Sequence, residues 1–483
     1  MNRVAIIGGG ITGLTVAYAF EQHNRCSSQP IDYVLIDRAN RLGGKVITEN
    51  LDGFIVEAGP DCFVAEKPWV HQLASQLMIE DRVLAPNASS RRSYVLSEGT
   101  IHELPEGMLL LLPTKIIPFL LSPLISWQGK MRMACDAILP RKKHFTDETL
   151  SDFVNRRLGR EILDKIAAPL VGGIHSNDPD KMSLLASFPR FLKMEEEYGS
   201  LLRAMLAAKL KAFFAKSGKN RSHFLSFKQG MGEISDSIIS KLEKHRVLTG
   251  RTVEHLEKNP PGDKSRYKVF FHDKSDPLEV DDIVIATVSN QAANILEGLD
   301  HVIASLLREI PLTSSANLSL AFKSHELGRI PDGFGLMIPA VEKRKISSLT
   351  LSSAKWNYRV PDPKYSLLRV FLGGYRNQDL VLLDDKDILE LVRNELSDIF
   401  GISARPTMTR IHRWIEERPQ YTLGHIDRVQ NIEKRLSQHK GIFLAGCSYH
   451  GIGVGDCVSS GITVSKAVIE DVMELSSAKT KLQ

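Results

Sequence analysis

The sequence predicts an α/β protein that combines a Rossmann-type dinucleotide-binding domain, a mixed-sheet substrate domain and an inserted, mainly helical region. Three observations lead to this prediction. Glycine-rich turns follow apolar, strand-like runs near both ends of the chain, around residues 8–13 and 446–455. A stretch rich in apolar and basic residues lies between them. Strand-like runs with an antiparallel character occupy residues 311–419.

The first glycine turn has the features of a dinucleotide-binding fingerprint. An apolar strand at residues 4–7 precedes Gly8, Gly10 and Gly13, and a small-residue helix follows, which is the order that the fingerprint requires. Gly8 permits the tight turn, Gly10 lets the backbone approach a pyrophosphate, and Gly13 lets the helix lie close to the strand. Phosphates are expected at the positive end of this helix, although an unliganded α/β turn is the alternative.

Two further features support the nucleotide interpretation. A second buried strand ends in Asp37, which follows Gly13 by 24 residues, close to the interval expected for a carboxylate that binds ribose hydroxyls. Arg41, Gly43 and Gly44 then form a second turn, whose backbone amides and flanking cations can meet the same diphosphate. The fingerprint therefore has its expected partners.

Composition and length indicate a multi-domain, globular chain. With 483 residues it exceeds a single compact core, and 43% hydrophobic and 25% charged residues are ordinary values. A net charge of +5 gives no reason to expect a nucleic-acid partner. The five cysteines contain no C-x-x-C pair, which favours a reducing compartment over a disulfide framework or a metal site. Because the first structural strand begins at residue 4, a cytoplasmic location without a leader peptide is expected.

The nucleotide-binding domain is expected to be discontinuous. After the helical region, the sequence again has the strand-like runs of an α/β domain. They lie at residues 251–256, which include Val253, and at 267–271 and 283–288. The expected segments are 1–95, 230–310 and 420–483 for the nucleotide domain, 96–229 for the helical region and 311–419 for the substrate domain. The apolar sheet of the last segment suits a large flat ligand, although a domain core needs none.

The helical region contains two candidates for membrane contact. Residues 108–127 are strongly apolar, but Pro113, Pro118, Pro123 and Lys115 interrupt the run, so short helices and turns are expected rather than a spanning helix. A helix at 201–216 carries an apolar stripe and basic polar positions, and residues 198–232 contain no acid. This pattern is typical of an interfacial anchor and equally of an ordinary core face.

Two loops at strand ends supply further site candidates. A hairpin around Asp52 and Gly53 leads into residues 57–61, and Asp61 lies where ligands of open α/β sheets bind, unless it is simply a solvated turn residue. Near the end of the chain, a strand stops at Gly446 and a glycine-rich loop leads into a helix. Asp456, near the start of that helix, is either a cofactor ligand or a cap.

With these motifs assembled, the whole chain resembles the FAD-dependent porphyrinogen oxidases of haem biosynthesis, within the amine-oxidase-like flavoproteins. The resemblance covers residues 1–470 and departs at Asp37, where Glu is more common, and at Ser176 and Asn177, where Ala-Gly is common. The matching motifs are Gly8–Gly13, Arg41–Lys45, Glu57–Asp61, Gly172–Pro179 with Leu184 and Phe188-Pro189, and Leu444–Gly446 through Asp456-Cys457.

This resemblance implies an enzyme with non-covalent FAD that removes hydride from a porphyrinogen meso carbon, with O₂ as acceptor and hydrogen peroxide as product. Asp61 and Gly173 are the implied catalytic residues, Asp61 by stabilising positive charge and Gly173 by letting the tetrapyrrole approach; Lys67 is a candidate partner for propionates. The implied cofactor-binding residues are Gly8, Gly10, Gly13, Asp37, Arg41, Gly43, Gly44, Val253, Gly446, Asp456 and Val458.

The resemblance leaves two substrates, protoporphyrinogen IX and coproporphyrinogen III, and the membrane-like features favour the more apolar protoporphyrinogen IX. Alternative functions are a flavin amine oxidase or carotenoid desaturase, which lack the motif at residues 173–179, and a flavin-free carrier of prenylated GTPases, in which the phosphate-binding glycines would have decayed. Peripheral attachment to an anionic membrane on its cytoplasmic face and a homodimer are compatible with the sequence.

Overall fold

The computed structural model describes residues 2–109, 111–143, 146–175, 177–214, 222–328 and 330–481. Within these ranges, a sheet of five strands in which every neighbouring pair is parallel forms the nucleotide domain. In spatial order the strands are Val247–Thr249, Asp32–Asp37, Arg3–Ile7, Asp282–Ile285 and Ile442–Leu444. The sheet is therefore assembled from distant parts of the chain.

Helices cover both faces of this sheet. Val4 and Ile6 belong to one buried cluster and Ala5 and Ile7 to another, because successive side chains of a strand point to opposite faces. The near-continuous apolar run is explained by this double burial. The first cluster includes helices Ile11–Cys26, Gly232–Ile239 and Val454–Lys481, and the second includes Ser289–Leu296, His301–Arg308 and His425–Leu436.

The expected strands after residue 250 are found, but two of them lie outside the parallel sheet. Val253–Lys258 pairs with Tyr267–Phe271, which in turn pairs with Leu278–Val280, in a separate antiparallel sheet. The parallel strand Val247–Thr249 was not anticipated, since three residues are too few to show a period. The expected hairpin is present as Thr48–Leu51 and Phe54–Glu57.

In the described part of the chain, a seven-stranded mixed sheet forms most of the segment that is predicted to bind substrate, which is called the substrate domain below. Its only parallel pair among the described residues joins Gly335–Met337 to Ser93–Ser97. Because Ser93–Ser97 is a strand of this sheet, the expected domain boundary between residues 95 and 96 falls inside a strand. The spatial order is Met408–Pro419, Leu312–Lys323, Tyr365–Gly373, Ile346–Leu351, Gly335–Met337, Ser93–Ser97 and Thr100–Glu103.

The two faces of the mixed sheet differ in chemistry. Leu318 and Leu320 of the long strand face a core that includes the helix Asp385–Phe400. The alternate residues Asn317 and Ser319 point the other way, yet they are buried as well. This polar, buried face carries the contacts to the nucleotide domain described below.

The helical region has its own apolar core and a buried ion pair. Arg157 and Asp136 are fully buried, and the Asp136 carboxylate also accepts from the Ser200 hydroxyl at 2.6 Å. No described helix is both long enough and apolar enough to cross a membrane. Among its described residues, the helices of four or more residues are Ile116–Leu121, Trp127–Ala134, Leu150–Arg157, Ala168–His175, Leu184–Ser187, Pro189–Tyr198 and Leu201–Phe214, with a π-helical turn at Leu163–Ala167.

Two shorter elements complete the surroundings of the site. Phe224–Phe227 pairs with Phe63–Val64 and Val83–Leu84 in a small sheet next to the loop that follows the hairpin. The helix Trp69–Gln76 packs into the core beside the C-terminal helix. The small sheet therefore borders residues 57–64, and the helix borders the C-terminal helix.

Candidate functional site: a dinucleotide cradle beside a buried polar sheet

Two of the fingerprint glycines are required by the protein itself. Gly8 has φ +109°, its N–H donates to the Ile36 carbonyl at 2.8 Å, and a Cβ there would lie 2.9 Å from the Ala286 carbonyl oxygen. A Cβ on Gly13 would lie 1.9 Å from the Gly8 carbonyl oxygen. The tight turn and the close helix-to-strand packing predicted for these residues are therefore present.

Gly10 differs from both, because it faces open space. A Cβ on Gly10 would meet no described protein atom closer than 3.9 Å, and Gly10 is the N-cap of the helix Ile11–Cys26 without a side-chain cap. The second turn lies alongside, since the Gly43 N–H donates to the Gly9 carbonyl at 2.8 Å and Gly44 approaches the Gly10 backbone. A diphosphate at this helix N-terminus fits the arrangement, because the space that a Cβ would fill is left clear.

Asp37 ends its strand beside the cradle, as the spacing predicts. Its carboxylate accepts from the Gly9 N–H at 2.6 Å and from the Ala39 N–H at 2.7 Å. These bonds fix the turn, and the remaining lone pairs of the two oxygens are available to ribose hydroxyls. Arg41 is exposed at the start of the second turn, and Val253 is half-buried at the beginning of the small antiparallel sheet.

Two buried hydroxyls near the cradle were not identified from the sequence. Thr287 Oγ1 and Ser289 Oγ have no hydrogen-bond partner among the described residues. The Thr287 methyl would lie 3.2 Å from a Cβ on Gly8, so this loop borders the fingerprint turn. Unpaired buried hydroxyls are costly, and their position fits a bound dinucleotide that would supply partners.

Residues 57–61, here called the acidic loop, are fixed by side chains from the mixed sheet. The Glu57 carboxylate forms an ion pair with Arg359, 2.7 Å away in the turn before the strand Tyr365–Gly373, and accepts from the Met231 N–H at 2.9 Å. The Ala58 carbonyl oxygen accepts from Asn317 Nδ2 and from Trp414 Nε1, both at 2.8 Å. The loop is therefore held by the polar face of the substrate domain.

The next two residues of the acidic loop are held in the same way. Arg369, which is 3% exposed, donates to the Gly59 carbonyl and to Asn317 Oδ1. A Cβ on Gly59 would lie 2.0 Å from the Lys45 carbonyl oxygen, so only glycine fits. Sequence reasoning selected the loop but none of the arginines or the tryptophan that hold it, because they lie about 300 residues away.

Asp61 faces a lysine that sequence reasoning also missed. Lys355 Nζ lies 2.9 Å from Asp61 Oδ2, and Trp356 Nε1 donates to the same oxygen at 3.4 Å. Burial alone would raise the pKa of Asp61, but the Lys355 ammonium and the Arg369 guanidinium outweigh it and hold this pKa well below its usual range. Asp61 is thus a half-buried, ionised carboxylate at the junction of the two domains, rather than a solvated turn residue.

The C-terminal loop has the predicted order of strand, glycine-rich turn and helix. Gly446 has φ +112° and donates its N–H to the Ser460 hydroxyl at 2.9 Å, and a Cβ there would meet no described atom closer than 3.7 Å. Asp456 accepts from the Gly453 N–H at 3.2 Å, which is the capping arrangement. Val458 is fully buried in the core that includes the first helix.

The expectation that Lys67 meets propionates does not agree with its contacts. Lys67 Nζ lies 2.5 and 2.7 Å from the two carboxylate oxygens of Asp456, so its charge is already paired. This ion pair joins residues 389 positions apart in the chain. No local motif could have revealed it.

Gly173 lies in the helix Ala168–His175, which continues from the π-helical turn Leu163–Ala167. Ser176, one of the departures from the family motif, lies outside the described residues. A Cβ on the neighbouring Gly172 would lie 3.6 Å from the Tyr375 ring. The motif helix is therefore next to the loop that follows the strand Tyr365–Gly373, and π-helical turns are frequent at functional sites.

The fold and the two glycine cradles define a dinucleotide-dependent protein whose site lies between a Rossmann-type sheet and a mixed sheet. Residues 11–469 match the family described as flavin containing amine oxidoreductase. The chain belongs to this family and, within it, to the FAD-dependent porphyrinogen oxidases. FAD is its cofactor, and the protein is an FAD-dependent oxidoreductase.

Individual relatives agree with this assignment. The chain is 33% identical to the coproporphyrinogen III oxidase of Bacillus subtilis over 98% of each chain. It is 25% identical to protoporphyrinogen oxidase 2 of Arabidopsis thaliana, over 99% of this chain and 96% of the relative. A crystal structure from Exiguobacterium sp. 255-15, provisionally named a protoporphyrinogen oxidase, superposes with a TM-score of 0.83, 28% identity and coverage of 97% and 98%. The predicted fold class, family and cofactor are thereby confirmed.

Proposed function

We propose that this porphyrinogen oxidase acts on coproporphyrinogen III and releases coproporphyrin III, with O₂ as acceptor and hydrogen peroxide as product. The observation that carries the proposal is the similarity to the Bacillus subtilis coproporphyrinogen III oxidase, which spans both chains at 33% identity, against 25% for the plant protoporphyrinogen oxidase. The preference for protoporphyrinogen IX is therefore revised. Its basis, the membrane-like segments, concerns attachment rather than the substrate.

Asp61 supports the oxidation step of this proposal. When bound, FAD supplies the hydride acceptor, while the protein contributes position and electrostatics. An ionised carboxylate beside the macrocycle stabilises the positive charge that develops as hydride leaves a meso carbon. Lys355 and Arg369 keep Asp61 in that ionised form, and Gly173 would let the flat tetrapyrrole approach the motif helix.

Arg376 supports the choice of the tetracarboxylate substrate. Its guanidinium lies 5.3 Å from the centre of the Tyr375 ring, and that ring borders Gly172 on the motif helix. Coproporphyrinogen III has two propionates where protoporphyrinogen IX has vinyl groups, and a buried unpaired carboxylate costs several kcal/mol. A cation at this position would pair with one of the additional propionates.

The test compares both porphyrinogens with the same enzyme. Flavin bleaching is measured without oxygen, and porphyrin fluorescence and peroxide are measured in air. We expect the higher kcat/KM with coproporphyrinogen III, and we expect Arg376→Met to raise KM for that substrate more than for protoporphyrinogen IX. A higher kcat/KM with protoporphyrinogen IX would reverse the substrate assignment, and no turnover of either would refute the proposed reaction.

We also propose peripheral attachment to an anionic membrane on its cytoplasmic face. Five large apolar side chains of the helical region are 65–79% exposed, which is unusual for a contiguous chain segment of a soluble domain. They lie on two short helices and the turn after them: Ile117, Leu121, Trp127, Met131 and Ile138.

The helix Leu201–Phe214 extends this surface and supplies its charge. Leu206 and Leu210 are exposed, which departs from a simple core face, and exposed basic residues accompany them at Arg203, Lys209 and Lys211. The Leu202 N–H donates to Asp136 at 2.9 Å, which joins this helix to the turn before Ile138. Apolar contact combined with attraction to anionic lipid is the physical basis of interfacial binding.

Flotation with vesicles tests the attachment. We expect the protein to float with phosphatidylglycerol-containing vesicles and to remain behind with neutral phosphatidylcholine vesicles. Ile117→Ser combined with Leu121→Ser should weaken flotation, whereas Val302→Ser, which changes an exposed apolar residue on a helix of the nucleotide domain, should not. Equal absence of flotation with both vesicle types would refute attachment.

A further inference from the structure

The phenol of Tyr421 spans the C-terminal loop with two hydrogen bonds. Its hydroxyl donates to the Cys447 carbonyl oxygen at 2.8 Å and accepts from the Gly451 N–H at 2.7 Å. The side chain is nearly inaccessible, with the residue 4% exposed. One hydroxyl therefore links the Cys447 carbonyl to the Gly451 N–H across the loop that follows Gly446. Without the hydroxyl, these two backbone groups would lose a hydrogen-bond partner.

A histidine fixes the orientation of this ring. The Tyr421 and His425 rings are stacked with centroids 3.8 Å apart and an interplanar angle of 15°. Burial lowers the pKa of His425 to about 4, so the imidazole is neutral at physiological pH. Its Nε2 lies 2.9 Å from the Tyr449 carbonyl oxygen and, as the N–H tautomer, donates to it. The two side chains thus contact the loop backbone at three alternate residues, Cys447, Tyr449 and Gly451.

The backbone of Tyr421 is anchored to the two other regions of the molecule. Its carbonyl oxygen accepts from the Ser183 N–H at 2.8 Å, which joins it to the segment after the Gly173 motif. The preceding Gln420 N–H donates to the Pro311 carbonyl at 2.8 Å, at the start of the substrate domain. The tyrosine therefore reaches the loop from a rigid base.

We propose that Tyr421 is a positioning residue for FAD, which holds residues 446–453 in the conformation that receives the cofactor. The inference rests on the proposed contact of FAD with Gly446 and Asp456. Gly446 and Gly451 have φ of +112° and +141°, which glycine adopts readily and other residues rarely do. Because glycine also loses the most conformational freedom when it is ordered, this loop needs contacts that hold it in place. A hydroxyl that bonds both ends of the loop reduces the ordering that binding would otherwise require.

A neighbouring tyrosine provides a matched control. Tyr449 belongs to the same loop, but its hydroxyl makes no hydrogen bond among the described residues, and its ring packs in the second core cluster of the nucleotide domain. Tyr449→Phe and Tyr421→Phe remove the same atom from two buried phenols. Only Tyr421→Phe removes hydrogen bonds to the loop backbone.

The experiment measures FAD dissociation constants of the apoproteins by flavin fluorescence, together with their unfolding in urea. Losing two hydrogen bonds should raise the dissociation constant of Tyr421→Phe about 10- to 100-fold, whereas Tyr449→Phe should stay within about twofold of the parent. The proposal is overturned if Tyr421→Phe binds FAD like the parent, or if its only change is a less stable apoprotein.

A third variant separates this proposal from the placement on which it rests. Gly446→Val adds a side chain at a positive φ, facing the space left open beside the first helix. If Gly446→Val binds FAD like the parent, the cofactor does not contact this loop and the proposal fails with that placement. If Gly446→Val loses FAD while Tyr421→Phe does not, only the tether is refuted. Neither FAD binding nor urea unfolding involves a porphyrinogen, so failure of this proposal would leave the proposed substrate unaffected.

Discussion

Removing the Lys355 ammonium tests how Asp61 is kept ionised. Lys355 Nζ lies 2.9 Å from the Asp61 carboxylate, and the two side chains are 12% and 18% exposed. Loss of one partner of a buried ion pair costs roughly 3–5 kcal/mol, but Arg369 and Trp356 would still face the carboxylate. We therefore expect Lys355→Met to lower the free energy of unfolding by about 1.5–3 kcal/mol, the range of a hydrogen bond to a charged group.

The assay is urea denaturation at pH 7 of the parent, Lys355→Met, Asp61→Asn and the double variant, with Lys355→Arg as the control that keeps the charge. The cycle isolates the coupling between the two side chains. Because the folded-state pKa of Asp61 lies below its ordinary value, its stabilising contribution is present above about pH 4 and is lost as pH falls towards the folded value. A coupling energy below about 0.5 kcal/mol at pH 7 would refute the reasoning.

Three further outcomes are expected. Gly10→Val should yield a colourless protein whose apo form melts like the parent, because a Cβ there lies no closer than 3.9 Å to a described protein atom and would fill the space expected for the diphosphate. A yellow variant would place the diphosphate elsewhere. Asp37→Ala should weaken FAD binding by roughly 1.5–3 kcal/mol in a fluorescence titration, and an unchanged dissociation constant would contradict the ribose assignment. Burial, with Asp471 nearby, raises the pKa of Asp282 to about 8. Because the folded protein then holds a proton that the unfolded chain releases, the melting temperature should fall as pH rises from about 5 to 8. This fall should be smaller in Asp282→Asn, and an identical dependence of melting temperature on pH would show that Asp282 is not the titrating group.

The parts of the fold that the sequence predicted are those with a local signature. The fingerprint glycines and Asp37 lie within one strand–helix–strand unit, so their spacing alone determines their meeting point. The same holds for the hairpin at Asp52 and Gly53, whose φ values of 50° and 84° are those of the predicted tight turn. Contacts between residues that are close in the sequence can therefore be predicted from the local pattern.

The residues that hold the acidic loop had no such signature. Asn317 shares its strand face with Ser315 and Ser319, a pattern that normally indicates a solvent-facing side. Arg369 is a single cation in a strand that is otherwise mostly apolar, and nothing in the strand indicates its partner. Only the packing of one domain against the other buries that side and turns it towards Asp61. The pairing of Lys67 with Asp456 is missed for the same reason, since charge partners across domains cannot be read from either segment alone.

The order of strands in the parallel sheet has a consequence for synthesis. The central strand ends at Ile7, but the edge strand Ile442–Leu444 and the Gly446 turn emerge from the ribosome some 435 residues later, which at about 5–20 residues per second takes roughly 20–90 s. The strand Asp282–Ile285 is made within that interval and lacks this neighbour for the next 157 residues, roughly 8–30 s at the same rate. Its unpaired edge is open to other chains during that time. The nucleotide domain is therefore completed only when the last part of the chain is made, so loading of FAD at the Gly446 turn would follow translation rather than accompany it.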